Sequence, residues 1–544
     1  MLLNNPNLRQ RLRLPLALAA GLLLAAAFPN FNIAGLAWIA PGVMLAVALG
    51  CRGGESFRLG YFAGLAFWMA SLYWLLLIPV TGFPILGWAA LSAFLALFQG
   101  LWVWLCWKCF PPIPSQGDAS PAGSVGAGSF HLAPRGARLK WTLACAGLWV
   151  ALEMIRSRIF SGFPWSLLGV SQFQLSPLIQ ISSVTGVYGV SFLVSWTSVS
   201  LLSAALMLLR PQATRSTLMA ESFVPLSVVA IVFATGFHRI NQPVVVDRTI
   251  HTTLVQPSIP QTMIWDAKAD DERFAQLLAL SARALSNETD VLVWPEAAVP
   301  ALNEASFTEI TNLAVEHQVG CLFGADDVVL RPGGTTQRDL VYYNAAWMLS
   351  PRGRLGDPYH KQRLVMFGEY IPLSSVLPFL RWLTPITGGF TAGTRPAQFQ
   401  LCNGSVSAAP LICFEDVFPH GARQHVSDDT DLLVNLTNDG WFGESAEQWQ
   451  HAANAVFRAV ENGVPLVRSC NNGLTCWVDP YGRIRQTFRD QRGTIYGSGF
   501  VTFSVPLEPR RLGTFYRRHG DVFGWACTAL AAATLVPSLI RRKR

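Results

Sequence analysis

The sequence predicts a multi-span α-helical membrane domain of about eight helices joined to an extramembrane domain of layered strands and helices. Three observations predict it. Half of the 544 residues are hydrophobic, only 14% are charged and 19 are Trp, a balance too apolar for an ordinary soluble chain. The apolar residues gather into runs near the ~20 residues that cross a bilayer. From about residue 247 those runs give way to short β-type segments and amphipathic helices.

The apolar runs cover 14–29, 31–50, 59–79, 85–107, 141–159, 187–209 and 222–238, and a last one covers 521–540. Arg9, Arg11 and Arg13 precede the first run and orient the N-terminus to the cytoplasm. Threading onward, loops 51–58, 108–140 and 210–221 fall on the same side. They carry Arg52, Arg58, Lys108, Arg135, Arg138, Lys140, Arg210 and Arg215, and the basic tail RRKR joins them. The links at 30 and 80–84 carry no charge, and only Arg156 and Arg158 oppose the scheme. Both termini are then cytoplasmic and 239–520 lies outside the cytoplasm. The expected domains are 1–240, 245–510 and a C-terminal helix over 519–544. The start, RQRLRLPLALAAGLLLAAAFP, also fits a signal peptide, but the second apolar run close behind favours a retained anchor.

Segment 109–139, rich in Pro, Gly, Ala and Ser, reads as a flexible cytoplasmic linker. The formal charge of +8 reflects Lys and Arg beside the spans. Without a basic stripe interleaved with aromatics or a Gly-rich phosphate loop, a nucleic-acid partner is not expected.

In the extramembrane half, TIHTTLV, DVLVW, CLFGA, AAWMLS, APLICF, DLLVNL, VPLVRS, TCWVD and FVTFSVPL read as strands. In 446–462, Trp449, Ala453, Val456, Phe457 and Val460 recur at helical spacing, and 267–286 and 306–318 also read as helices. Polar residues interrupt three of the strand ends or apolar segments. VLVWPEAAVP places Glu296 beyond a strand, YHKQRLVMFGEYIP brings in Lys361 and Glu369, and LICFEDVFP supplies Cys413. A carboxylate, an ammonium and a thiol form a chemically complete set for acyl transfer. A free thiol has a pKa of about 8.5 and needs a base or a cation to react at neutral pH. Glu296 can take the proton and later give it to a leaving oxygen, while Lys361 stabilises thiolate and oxyanion. Spacing alone leaves open that each is an ordinary buried or paired group.

WPE, K…LVMFGEYIP and ICFE, in that order, resemble the Glu–Lys–Cys motifs of the nitrilase (carbon–nitrogen hydrolase) superfamily. With seven runs before them and one after, the whole chain is similar to the apolipoprotein N-acyltransferase family. FPWSLLGVSQ, VQPSIPQ, NLTNDGWFG and TFYRRHGD are further points of likeness. The resemblance implies a nitrilase-like α-β-β-α sandwich, with Glu296 as general base, Lys361 as oxyanion stabiliser and Cys413 as nucleophile. It implies supporting roles for Glu369 and Glu415, and substrate contacts for Trp265, Asn344, Phe414 and Trp441. Met366, Phe414 and Gly440 stand where the family usually has Pro, Tyr and Ala. No proton carrier is lost thereby.

The implied reaction takes an acyl chain from a phospholipid, typically phosphatidylethanolamine, through a thioester on Cys413. It delivers the chain to the α-amino group of an N-terminal diacylglyceryl-cysteine on an apolipoprotein. That amine has a pKa of about 7.7–8.0 and is partly neutral at physiological pH. A membrane-tethered amidase or nitrilase is the alternative enzyme. A transporter is disfavoured by the few charges inside the runs and the lack of an inverted repeat. Segment 370–390, with Gly388 and Gly389 as a hinge, reads equally as a lid or a core helix. Glu153 and Arg156 read as functional intramembrane charges or, more simply, an i,i+3 ion pair, and Trp165 as a lipid-entrance residue or an interfacial anchor. Cys470 and Cys476 flank a turn and are candidates for a bridge. No Cys/His cluster has the density of a zinc site, His420 and His425 lack ligand spacing, and neither a metal nor an organic cofactor is expected. A monomer is expected.

Overall fold

The structure, a computed structural model, describes residues 6–80, 83–111, 127–208, 215–374, 376–378, 389–509 and 513–541. The chain forms two compact units. One comprises Met1–Leu75, Ile85–Asn241 and His519–Arg544, and the other Leu76–Pro84 and Gln242–Arg518.

The first unit is helical, with principal helices Pro6–Ala25, Ala40–Ala48, Gly53–Ser71, Phe83–Lys108, Arg135–Arg156, Val187–Leu208, Arg215–Ile240 and Val522–Arg541. Among the described residues three segments, Phe83–Lys108, Val187–Leu208 and Met219–Ile240, are long and apolar enough to cross a membrane. Helices Pro6–Ala25 and Arg135–Arg156 contain the very arginines that orient the chain, which lowers their apolar character. Most of the linker, 112–126, lies outside the described residues.

Two expectations for this unit need correction. Glu153 and Arg156 attract each other but form no direct salt bridge. Glu153 accepts from Trp149 Nε1 at 2.9 Å and from the Leu168 amide at 2.7 Å. Arg156 donates to the Trp165 carbonyl at 2.8 Å and lies over the Trp68 ring, 4.8 Å from its centroid. The loop after the helix folds back and offers each charge a better-placed partner than one turn of helix does. Trp165 is not an interfacial anchor, because it is buried against Trp74. Arg158 pairs with Asp521.

The second unit is built on two six-stranded sheets. In chain order the strands are β1 (Arg248–Gln256), β2 (Val291–Val293), β3 (Gly320–Leu330), β4 (Leu340–Leu349), β5 (Tyr359–His360), β6 (Phe399–Leu401), β7 (Val406–Ile412), β8 (Leu432–Thr437), β9 (Leu466–Cys470), β10 (Cys476–Val478), β11 (Ile484–Thr487) and β12 (Gly499–Leu507). The sheet orders are β12-β1-β2-β3-β4-β5 and β11-β10-β9-β8-β7-β6. Each has three central parallel strands with antiparallel neighbours outside, β1-β2-β3 in one and β7-β8-β9 in the other.

Alternate residues of these strands serve two cores. Leu254, Val293, Leu322, Ala346 and Met348 face Ile412, Val434, Leu436 and Val467 between the sheets. Leu292, Cys321, Phe323 and Leu349 instead pack on Leu277 and Ile310 of helices Asp270–Ala284 and Glu304–Glu316. Helix Glu447–Asn462 packs on β9 and β10 of the other sheet. Period-two burial on both faces is what continuous apolar strands such as VLVW and PLI require. The result is the α-β-β-α sandwich.

Candidate active site

Three strand ends carry the candidate residues. Glu296 lies three residues past β2, Lys361 directly follows β5, and Cys413 directly follows β7. Backbone strain gathers here, since Ala297 (φ 51°), Phe367 (φ 59°) and Cys413 (φ 50°) adopt the left-handed conformation. For a non-glycine residue that costs of order 1–3 kcal/mol and persists only where surroundings enforce it. Glycine is required nearby. A Cβ on Gly324 would lie 2.6 Å from the Pro295 carbonyl oxygen and 2.8 Å from Glu296 Cα, so only glycine lets β3 pass this closely.

Lys361 is 1% exposed, and its Nζ lies 3.0 Å from Glu296 Oε1 and 2.9 Å from Glu369 Oε1. Asn344 on β4 donates from Nδ2 to the same two oxygens, at 2.8 Å each. The second Glu369 oxygen accepts from the Val365 amide at 2.8 Å. Burial alone would lower the Lys361 pKa. Glu296 and Glu369 outweigh it and hold the ammonium well above its usual range.

The Cys413 thiol is pushed up to about 12, first by burial and then by the Glu296 carboxylate, while Lys361 and His451 pull it down. At neutral pH it is therefore a thiol, and any reaction of its sulfur as a thiolate requires a base or a cation.

Glu415 locks the two arms together. Its Oε1 accepts from Tyr359 Oη at 2.7 Å, from the Gln362 amide at 2.7 Å and from the Arg363 amide at 3.2 Å. Its Oε2 accepts from the Ile412 amide at 2.8 Å. The end of β7 is thus tied to the chain on both sides of Lys361. Phe414 packs edge-on against Phe418 at 5.0 Å. Trp265 and Trp441 meet edge to face at 5.1 Å, and Trp265 remains 44% exposed. Of segment 370–390, residues 375 and 379–388, with Gly388, lie outside the described residues. All ten cysteines are free, Cys470 and Cys476 among them.

A buried cluster behind Cys413 goes beyond what the motifs indicate. His451 Nε2 lies 2.9 Å from Asp416 Oδ1 and 3.2 Å from the Cys413 carbonyl oxygen, and Nδ1 lies 3.0 Å from Asp439 Oδ1. Arg468 grips Asp439 twice, at 2.8 and 3.0 Å. Asn435 donates to the Cys413 carbonyl at 3.2 Å and to Asp416. Burial opposes charge on Asp439, His451 and Arg468. Even so, Arg468 and His451 hold Asp439 below the usual carboxylate range, and Asp416 above all keeps the His451 pKa high. Glu447, whose Oε1 is 3.4 Å from His451 Nδ1, is pushed up to about 7 by burial and by Asp439. The signal was present: Glu447 and His451 are one helical turn apart, and Arg468 interrupts an apolar strand. Ligand atoms of Asp439, Glu447 and His451 lie within 4.8 Å of one another, but Arg468 already fills the place of a cation, 2.6 Å from His451 Nδ1.

Residues 20–200 match the family described as apolipoprotein N-acyltransferase N-terminal domain, and 252–498 match carbon-nitrogen hydrolase. An apolipoprotein N-acyltransferase of Geobacter metallireducens is 35% identical over 97% of this chain and 95% of its own length. That of Brucella suis is 30% identical over 95% and 91%. Among solved structures, an amidase from Nesterenkonia sp. is 16% identical over 48% of this chain and 92% of its own, with a TM-score of 0.35.

Proposed function

The chain belongs to the apolipoprotein N-acyltransferase family, and from that premise we propose that it moves a phospholipid acyl chain through a thioester on Cys413 to the terminal amine of a diacylglyceryl-cysteine. The Cys413 sulfur attacks the ester carbonyl of the donor, phosphatidylethanolamine, as Glu296 accepts the thiol proton. Lys361 stabilises the oxyanion. The C–O bond breaks, and Glu296 returns the proton to the departing lysophospholipid oxygen. In the second half the lipoprotein amine attacks the thioester and gives a proton to Glu296. The C–S bond breaks, and the thiolate regains that proton. The chemistry is ping-pong, with the catalytic unit on the periplasmic face of the inner membrane, both termini cytoplasmic, and a monomer sufficient.

The observation that carries this reading is the Lys361 ammonium held between Glu296 and Glu369 at 3.0 and 2.9 Å, with Cys413 within electrostatic reach of it. Glu369 and Asn344 position Lys361 and Glu296, Glu415 positions the nucleophile, and Phe414 and the Trp265–Trp441 pair receive lipid. The test uses full-length protein incubated with acyl-labelled phosphatidylethanolamine. Hydroxylamine-sensitive label on the protein, absent in Cys413→Ala, is expected. Label that persists in Cys413→Ala defeats the assignment, and a protein that hydrolyses small amides without lipid label is the tethered amidase instead.

A further inference from the structure

Two side chains meet the main-chain carbonyl of Cys413. One is Asn435 on β8, the strand beside β7, and the other is His451 on the following helix, each at 3.2 Å. The last paired residues of the two strands are Ile412 and Leu436, so this carbonyl is the first beyond the ladder. Cys413 is also where the chain turns left-handed, at φ 50°. A strained residue just past a strand holds its conformation only if its peptide groups are pinned from outside. Glu415 pins the preceding amide, that of Ile412, at 2.8 Å.

We propose that His451 is a positioning residue for the nucleophile, whose Nε2–H, together with Asn435 Nδ2, clamps the Cys413 carbonyl and so fixes the direction of the thiol. This rests on the acyl-transfer reading above. The proton assignment follows from the surroundings. Nε2 faces two acceptors, Asp416 Oδ1 and the Cys413 carbonyl, and therefore carries hydrogen. On the other side, Nδ1 faces Asp439, Glu447 and Arg468. It either donates to the carboxylates or accepts from the guanidinium, and Nε2 donates in both cases. The ring is 2% exposed and cannot swing away, because Asp416 and Asp439 hold it at opposite nitrogens and Arg468 holds Asp439. A clamp of this kind matters for acyl transfer more than for simple thiol reactivity, since a 1 Å misplacement of a reacting atom costs about 10²-fold.

The experiment compares full-length wild type, His451→Gln and His451→Met. It reads single-turnover thioester formation from labelled phosphatidylethanolamine and alkylation of Cys413 by iodoacetamide, which has no strict geometric demand. In His451→Met, with no donor, thioester formation is expected to fall about 100-fold. Alkylation should fall far less than acylation, slowed only by the loss of His451's pull on the thiol, and the donor KM should be unchanged. In His451→Gln, which keeps an N–H, at least a tenth of the wild-type rate should return. Equal rates in wild type and His451→Met overturn the inference, as does a parallel loss of alkylation and acylation in both variants. Should His451→Met fail to fold, Asn435→Leu reads the same carbonyl. A tenfold or greater loss of acylation with alkylation retained supports the clamp, and an unchanged rate overturns it. Absence of any lipid label on wild type would instead sink the acyl-transfer reading itself.

Discussion

Glu369 faces Lys361 across 2.9 Å with one oxygen and holds the Val365 amide at 2.8 Å with the other. One carboxylate thus fixes both the ammonium and the loop that follows it. Glu369→Gln removes the charge but leaves an oxygen for Val365. Lys361 keeps Glu296 as a counter-ion, so the protein should fold, destabilised by about 2 kcal/mol. Thioester formation should drop about 100-fold through the loosened ammonium. Thermal unfolding and hydroxylamine-sensitive labelling check the two effects, and an undiminished labelling rate would remove Glu369 from the site.

Glu296 has opposite effects on two reactions of one thiol. As the proposed base it would drive acyl transfer, yet its negative charge raises the Cys413 pKa. Glu296→Gln should therefore lower thioester formation by about 10²–10⁴-fold while speeding iodoacetamide alkylation at pH 8. Slower alkylation in the variant would contradict the electrostatics.

The thiol at about 12 also sets a pH profile. Thiolate grows about tenfold per unit below the pKa, so alkylation of wild-type Cys413 should rise log-linearly from pH 7 to about 10. A plateau near pH 8 would show a thiol free of burial and of Glu296.

Glu415 accepts four hydrogen bonds, three of them from backbone amides. Glu415→Ala leaves these donors and the Tyr359 hydroxyl without their partner. Removing a buried charged acceptor should cost about 3–5 kcal/mol and lower the unfolding temperature sharply. A shift of under a degree would mean that water replaces the carboxylate at no cost.

Glu447, at about 7 when folded and 4.5 by its ordinary value, binds a proton more tightly in the folded state. Its contribution to stability is present below pH 4.5 and lost as pH rises toward 7. Relative to wild type, Glu447→Gln should gain in unfolding temperature at pH 8 and show no gain at pH 4. Parallel curves would place the titration elsewhere.

Much of the site was legible because polar residues ending apolar strands are rare enough to stand out. Glu296, Lys361 and Cys413 each break such a run. His451, Asp416, Asp439 and Arg468 were harder to see. They sit in a helix, a turn and a strand, where each alone looks like a solvated or capping residue, and only their mutual neutralisation makes burial affordable. Glu153 and Arg156 show the reverse. Their spacing suggested a pair, but the loop carrying Trp165 and Leu168 supplied closer partners to each.

By itself the amino-acid order determined the alternation that makes strands, the apolar runs that make long helices, and which residue types stand at the strand ends, because these depend on neighbours within a few positions. Only the tertiary structure decided that Asn344 bridges Glu296 and Glu369, that Glu415 ties Ile412 to Gln362, and that His451 reaches the carbonyl of Cys413. All of these contacts but that of Glu415 with Ile412 join residues 25 to 53 positions apart, and hydrogen-bond geometry between distant segments is set by how two sheets and their helices pack, which no local pattern encodes.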